Sequence, residues 1–84
     1  MSPTNQASDK PPLDFGQRAS GVSFNPSGDP LVNDIKQVSA DFINLLNNAR
    51  ASTENPEVKR MYSVAITEIQ TAQMWGVKAA TWEL

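Results

Sequence analysis

The residues best suited to chemistry in this chain lie immediately before a predicted helix start. Residues 22–28 place an aromatic ring and several small polar groups ahead of Asp29 and Pro30. Free amides at a helix N-terminus, with the positive end of the helix dipole, form a site for phosphate or another anion. Lys36, about two turns further on, supplies a positive charge to the same ligand. The residues predicted to contact this ligand are Phe24, Asn25, Pro26, Ser27 and Lys36.

The same segment has a simpler interpretation as a capped loop in which Phe24 packs as a hydrophobic plug. Helix starts of the Asp-Pro type are common where no ligand binds. The local sequence by itself therefore favours the capped loop over the anion site, and both interpretations stay open at this point.

A second polar group lies on the second predicted helix. Arg60, Ser63 and Thr67 are spaced by three and four residues, so they share a helical face, and Thr71 continues the row. Polar groups on an otherwise apolar helix need partners, either solvent or a ligand. If symmetry brings several copies of the chain together, the row would suit a ligand with several phosphates. A solvated face explains the row equally well.

The absence of histidine and cysteine from the sequence excludes most catalytic designs. No other side chain titrates unperturbed near neutral pH, so general-base and triad chemistry lose their usual central group. Disulfides and thiolate metal sites are excluded as well. Asp34 and Asp41 share a face of the first helix, but their polar surroundings do not predict the shifted pKa of an acid–base pair. We expect no enzymatic activity, no cofactor and no metal site.

Charge and hydropathy restrict the partners of this 84-residue chain. Its net charge of −2 argues against binding of polymeric nucleic acid, which usually requires a basic stripe. The mean hydropathy is −0.41, and no apolar run approaches the roughly 18 residues of a membrane span. The N-terminus lacks the apolar region of a signal peptide. We therefore expect a cytoplasmic protein with no membrane partner.

The elements predicted to position these groups form an all-α fold, an antiparallel αα-hairpin with an extended N-terminal arm. Residues 1–12 are predicted to be a disordered tail and residues 13–29 an extended arm, because proline and glycine are dense there. Asp29-Pro30 and Asn55-Pro56 are helix starts with a capping side chain and a proline in the first turn. The hairpin is predicted to cover residues 30–82.

Each predicted helix carries an apolar stripe in steps of four and three, which we expect to form the seam of the hairpin. The first stripe consists of Leu31, Ile35, Val38, Phe42, Leu45 and Ala49. The second stripe consists of Val58, Tyr62, Ala65, Ile69, Ala72, Gly76 and Ala79. The second helix has further apolar residues around most of its circumference. Because one seam makes a poor monomer, we expect a homo-oligomer. The alternative is a monomer whose arm folds back over the hairpin.

Two segments of the sequence resemble the helical-hairpin domain of phage-encoded cyclic-nucleotide sponges, which the anti-CBASS and anti-Thoeris sponges share. The first segment comprises residues 23–30, with Val32, Ile35 and Lys36 after it. The second comprises residues 68–81 and contains the run AQMWGVKAAT. The resemblance covers nearly all of the chain that is predicted to be ordered.

The resemblance implies a hexamer of hairpins that captures bacterial immune second messengers without cleaving them, in the cytoplasm of the infected host. Related proteins bind 3′,3′-linked cyclic dinucleotides between protomers, using an aromatic residue, often tyrosine, and a basic residue. Phe24 and Lys36 stand at the matching positions. Some relatives also bind cyclic trinucleotides such as cyclic tri-adenylate near a three-fold axis, through an Arg and a Thr, for which Arg60, Thr67 and Thr71 are the candidates.

The surplus of apolar residues on the second helix also fits a function of another class. A small structural or regulatory module would bind another protein through these faces and have no nucleotide ligand. Such a module is expected to be incompletely assembled or prone to aggregation when purified alone, whereas a stable hexamer would argue against it.

Overall fold

The computed structural model describes residues 12–83, which form three helices: α1 (Phe15–Ser20), α2 (Pro30–Ala51) and α3 (Pro56–Ala80). No strand occurs among these residues. Gly76 of α3 packs against Ile35 near the start of α2. At the other end, Arg50 of α2 donates a hydrogen bond to Ser63 of α3 at 2.9 Å. The two long helices therefore run antiparallel, and the predicted hairpin is confirmed.

Both predicted helix starts are confirmed by their caps. The Asp29 carboxylate accepts a hydrogen bond from the Leu31 amide at 2.9 Å. The Asn55 side chain accepts from the amides of Glu57 at 2.9 Å and Val58 at 3.3 Å. A proline occupies the first turn of each helix, where its missing N–H group costs no hydrogen bond. The predicted tail, residues 1–12, lies outside the described residues except for its last position.

The prediction of an extended arm over residues 13–29 is wrong for Phe15–Ser20, which form α1. A capping box starts this helix: Asp14 Oδ1 accepts from the Gln17 amide at 2.8 Å, and Gln17 Oε1 accepts from the Asp14 amide at 3.0 Å. The bond from the Gln17 amide, followed by one from the Asn44 side chain, lowers the pKa of the Asp14 carboxyl. Gly21, at φ 70°, ends the helix in the left-handed conformation. The arm's prolines lie outside α1, so the density of helix breakers concealed a short capped helix.

Gly16 allows α1 to approach α2 closely. Its amide donates to Asn44 Oδ1 at 2.8 Å. A Cβ atom at this position would lie 2.2 Å from the carbonyl oxygen of Ala40, which is backbone and has little freedom to move. α3 also contacts α1, because the Gln70 side chain donates a hydrogen bond to the Ala19 carbonyl at 2.9 Å. The position of α1, and of the loop that follows it, thus depends on glycine at residue 16.

We predict that Gly16→Ala destabilises the protein by about 1–3 kcal/mol, the usual cost of overpacking. Chemical denaturation measures this cost. Gly76→Ala is the matched control, because its added Cβ would lie 3.5 Å from Ile35, an ordinary contact distance. Alanine is also the better helix former, so this control is expected to be at least as stable as the wild type. Equal stability of the two variants would contradict the close packing of α1 on α2 at Gly16.

The described part of the molecule is thin. Its shortest extent is 12 Å. The short α1 lies against both long helices, bonded to Asn44 of α2 and to Gln70 of α3. Globular domains normally bury their apolar faces between two layers. Because α1 has only six residues, it leaves most of the length of the two long helices without such cover within the protomer.

The predicted seam of α2 is confirmed at Ile35, which contacts Gly76 of the predicted α3 stripe, but most of the α2 stripe is not buried. Four residues of its predicted stripe, Leu31, Val38, Phe42 and Leu45, are between 50 and 68% exposed in the protomer. The buried row is instead Val32, Lys36, Ala40 and Ile43. A lysine interrupts this row, so a search for apolar periodicity selects the neighbouring, uninterrupted stripe.

On α3, Ile66 is buried within the protomer, while Tyr62 and Ile69 of the predicted stripe are only half-buried. The side chains predicted around the rest of the helix, such as Met74 and Trp75, are exposed. None of the helices among residues 12–83 has the length and apolarity needed to span a membrane.

Candidate anion-binding cleft

The structure brings the five predicted residues of the first site into one cleft of about 230 Å³. The loop between α1 and α2 forms one wall, the first turns of α2 form the floor, and the last turn of α3 closes the side. The cleft is lined by Phe24, Asn25, Pro26, Ser27, Val32, Lys36, Val77 and Thr81. The prediction that the loop residues and Lys36 lie together is therefore correct as a statement about position.

Asn25 shapes the loop through hydrogen bonds on both sides of its side-chain amide. Its Nδ2 donates to the Asp29 carbonyl at 2.9 Å and to Asn33 Oδ1 at 2.8 Å. Its Oδ1 accepts from the Ser27 hydroxyl at 2.7 Å and from the Gly28 amide at 3.2 Å. Gly28 has φ 70°, a conformation that glycine adopts without strain. Asn25 therefore holds residues 25–29 in a fixed turn beside the cleft.

The amides at the start of α2, which the sequence predicts as anion ligands, are already bonded in the chain. Pro30 has no amide hydrogen, and the Leu31 amide donates to the Asp29 carboxylate. The amides of Val32 and Asn33 donate to the Asp29 carbonyl at 3.0 and 3.4 Å. The expectation of free amides here is wrong, because Asp29 satisfies them and also places its own negative charge at the helix end. The positive charge in the cleft comes from Lys36 instead.

The Lys36 ammonium lies beneath the loop, and the residue is only 6% exposed. Its Nζ donates to the Gly21 carbonyl at 3.1 Å and to the Phe24 carbonyl. It also lies 5.3 Å from the centroid of the Phe24 ring, a cation–π distance. The Phe24 side chain is nevertheless 67% exposed. An aromatic surface that is open to solvent thus stands directly over a buried positive charge.

This geometry suits a flat aromatic ligand with a negative charge close to its ring. Nucleic-acid bases stack on exposed aromatic side chains whatever their hydrogen-bonding pattern. A cation near the stacking surface favours a phosphate of the same nucleotide. The cleft is smaller than the roughly 300 Å³ at the lower end of small-molecule pockets. The cleft of one protomer is therefore smaller than a typical site that encloses a whole small molecule.

Val77 and Thr81 line the cleft but were not predicted as site residues. The Thr81 hydroxyl donates to the Val77 carbonyl at 2.8 Å, which orients the side chain at the end of α3. The predicted hairpin topology contained the information needed to place these two residues in the site. In an antiparallel hairpin, the last turn of the second helix lies beside the first turn of the first, where the predicted site stands.

Arg60, predicted for a second site, is engaged with Glu57 one turn before it. Arg60 Nε and Nη2 donate to the two Glu57 carboxylate oxygens at 3.0 and 2.7 Å. This hydrogen-bonded pair raises the pKa of Arg60 and lowers the pKa of Glu57. Both side chains are exposed, so the contribution of the pair to stability is small. Arg60 lies outside the cleft.

The hydroxyl row on α3 also lies outside the cleft, and each of its members is bonded within the chain. Thr67 and Thr71 donate to the carbonyls of Ser63 and Thr67, each at 3.2 Å. The Ser63 hydroxyl accepts from Arg50, whose guanidinium lies 5.5 Å from the Phe15 ring. These bonds give the row a structural role in the protomer. Residues 12–83 contain no cluster of three or more acidic side chains that could hold a metal ion.

The comparisons with known proteins address the family of the chain. The family model described as "Acb2/Tad1, hairpin domain" matches residues 17–81. The match includes the loop of the cleft, both long helices and most of α1. The search of curated proteins found no match, and neither did the search of solved structures.

Proposed function

The chain belongs to the Acb2/Tad1 hairpin-domain family, the family of anti-CBASS and anti-Thoeris sponges, and we propose that it binds and sequesters cyclic oligonucleotide second messengers of bacterial immunity. The family consists of binding proteins rather than enzymes. In this proposal the protein acts in the cytoplasm of the infected bacterium. It blocks CBASS-type effectors by removing the molecule that activates them.

The observation that carries the proposal is the open Phe24 ring above the buried Lys36 ammonium. Stacking of a base on an aromatic side chain contributes about 1–3 kcal/mol. A 3′,3′-linked cyclic dinucleotide has two bases and only two phosphates. Such a compact anion needs local charge rather than an extended basic surface, so it suits a chain with a net charge of −2.

We propose that the cyclic dinucleotide binds between two copies of the chain, within a homohexamer. Each cleft is smaller than a typical site that encloses a whole small molecule, so two clefts are needed for the whole ligand. The thin shape of the molecule and the exposed apolar side chains of α2 support association of copies. Residues 25–27 then shape the edge of the shared pocket, while Val32 and Val77 form its apolar floor.

A second ligand site on α3 is proposed for cyclic tri-adenylate. Arg60, Ser63, Thr67 and Thr71 would face a three-fold axis of the assembly, where three copies supply three guanidinium groups. Arg60 is exposed, so it can exchange its bond with the Glu57 carboxylate for one with a phosphate. The two hydroxyls of Thr67 and Thr71 keep acceptor lone pairs for a ligand donor.

Calorimetry of the full chain with 3′,3′-linked cyclic dinucleotides and with cyclic tri-adenylate tests the proposal. A sponge has to bind its messenger more tightly than the host effector does, so we expect a dissociation constant near or below 1 nM, roughly −12 kcal/mol. Ligand released by denaturing the protein is expected to be chemically intact by mass spectrometry. Absence of heat with every cyclic nucleotide would overturn the proposal, and recovery of linear products would contradict sequestration.

A protein-interaction module remains the second candidate, because exposed apolar side chains occur on both long helices. Light scattering of the purified chain separates the two functions. The sponge requires a stable hexamer without any partner protein. An incompletely assembled or aggregating chain that gives no heat with nucleotides would favour the interaction module.

A further inference from the structure

We propose that Lys36 is a positioning residue: its buried ammonium clasps the turn formed by residues 21–24 and thereby holds the Phe24 ring ready for stacking. The inference rests on the proposed function only in taking the ring as a ligand surface. The clasp itself is a property of the protein without ligand.

Burial of a lysine requires compensation, since an ammonium group loses its hydration when it leaves water. Lys36 is 6% exposed, and no carboxylate of the described residues lies within ion-pairing distance of its Nζ. Its compensation comes from the carbonyls of Gly21 and Phe24 and from the face of the Phe24 ring. All three groups belong to the same turn, so the charge and the turn stabilise each other.

The turn is built so that its carbonyls converge on this charge. Gly21 takes the left-handed conformation at the end of α1, and its carbonyl also accepts the Phe24 amide at 3.0 Å. Without the ammonium, the carbonyls of Gly21 and Phe24 would direct their negative ends at a common point with no donor between them. The turn would then open toward solvent, and the Phe24 ring would lose its fixed position.

The other half of the loop is anchored separately. Asn25 bonds to Asp29, Asn33, Ser27 and Gly28, and none of these bonds involves Lys36. Loss of the Lys36 ammonium should therefore loosen residues 21–24 while the turn at residues 25–29 keeps its shape. A general loss of stability would loosen both parts of the loop, so loosening of residues 21–24 alone indicates the clasp.

Lys36→Met tests the clasp, because methionine keeps a long apolar stem and removes the ammonium. Amide hydrogen exchange of the free protein, followed by NMR, is the readout. The Phe24 amide is expected to exchange at least about tenfold faster, whereas the Gly28 amide keeps its rate. Lys78→Met is the matched control, since Lys78 lies outside the cleft near Trp75 and Trp82. It is expected to change neither rate. Equal Phe24 exchange in the two variants would overturn the clasp.

A second readout separates positioning from direct contact with phosphate. Lys36→Met is expected to weaken binding of a cyclic dinucleotide by more than about tenfold, and to weaken stacking of adenosine, which has no phosphate, as well. Unchanged adenosine binding would assign Lys36 to phosphate contact alone and overturn the clasp. If the wild type binds no nucleotide, the proposed function fails, and the exchange rates of the free protein still decide the clasp.

Lys36→Arg covers the case in which Lys36→Met unfolds the hairpin, as measured by circular dichroism. Arginine keeps the charge and the donors, so it is expected to preserve the protection of the Phe24 amide. A folded Lys36→Arg protein whose Phe24 amide exchanges as fast as an unstructured one would contradict the clasp.

Discussion

Phe24→Ala is expected to lower the affinity for a 3′,3′-linked cyclic dinucleotide by at least tenfold, with about 2–6 kcal/mol lost if both bases stack on Phe24 rings. Alanine removes the stacking surface but keeps the backbone carbonyl that Lys36 binds, so the loop is expected to keep its fold. Calorimetry measures the loss, and light scattering checks that the variant and the wild type have the same molecular mass in solution.

Trp82→Ala is the matched control for Phe24→Ala. Trp82 is an aromatic residue as exposed as Phe24, but it lies outside the cleft. Its loss is expected to leave dinucleotide binding unchanged. If Phe24→Ala binds like the wild type, or if Trp82→Ala loses as much affinity, the cleft around Phe24 is not the ligand site.

Ile43→Ala is expected to cause the largest loss of folding stability, about 2–5 kcal/mol, the usual range for truncation of a buried branched side chain. Ile43 is fully buried and is one of four apolar residues buried among residues 12–83. Small domains have total stabilities of about 5–15 kcal/mol, so a loss of this size removes much of the margin. Chemical denaturation at a fixed protein concentration gives the value.

Leu45→Ala provides the comparison on the same helix. Leu45 is 65% exposed in the protomer, so its truncation is expected to change folding stability by less than about 0.5 kcal/mol. Any effect of Leu45 is expected in the association of copies, which appears as a concentration-dependent transition. If Leu45→Ala costs as much folding stability as Ile43→Ala, the burial pattern of α2 described above is wrong.

The helix starts could be predicted because their signals are local. Asp29 and Asn55 each cap the residues directly after them, and no other part of the chain is involved. The capping box of α1 is also local, but proline and glycine on both sides outweighed it in the interpretation of the segment. Six residues are too few for an apolar period, so α1 had no second signal.

The burial pattern of α2 could be predicted only in part, because burial depends on partners that a periodic pattern does not specify. The predicted stripe contacts α3 through Ile35, but the row that is buried in the protomer contains Lys36 and lies on the neighbouring face. The stem of a lysine packs like an aliphatic chain while its ammonium reaches polar atoms at the edge. A scale that scores lysine as fully polar therefore overlooks this row.

The candidate site was predictable in part for a similar reason. Its loop residues are consecutive and directly precede α2, and Lys36 lies in the second turn of that helix. These residues are close in sequence, so the sequence itself predicts that they lie together. Val77 and Thr81 come from the opposite end of the hairpin and enter only once the two helices are aligned. At the start of α2, the Asp29 side chain bonds the Leu31 amide and the Asp29 carbonyl bonds the amides of Val32 and Asn33. The capping signal implies these bonds, so the interpretation as an anion site overlooked what the interpretation as a capped loop includes.

The thin shape of the molecule has a consequence for how sequences of this family can vary. In a molecule this thin, most positions of the long helices lie at a surface, and four apolar side chains of residues 12–83 are buried. Packing in the interior therefore restricts the choice of amino acid at few positions. Substitutions on the exposed faces of the long helices are expected to change the surface that other molecules contact before they unfold a helix.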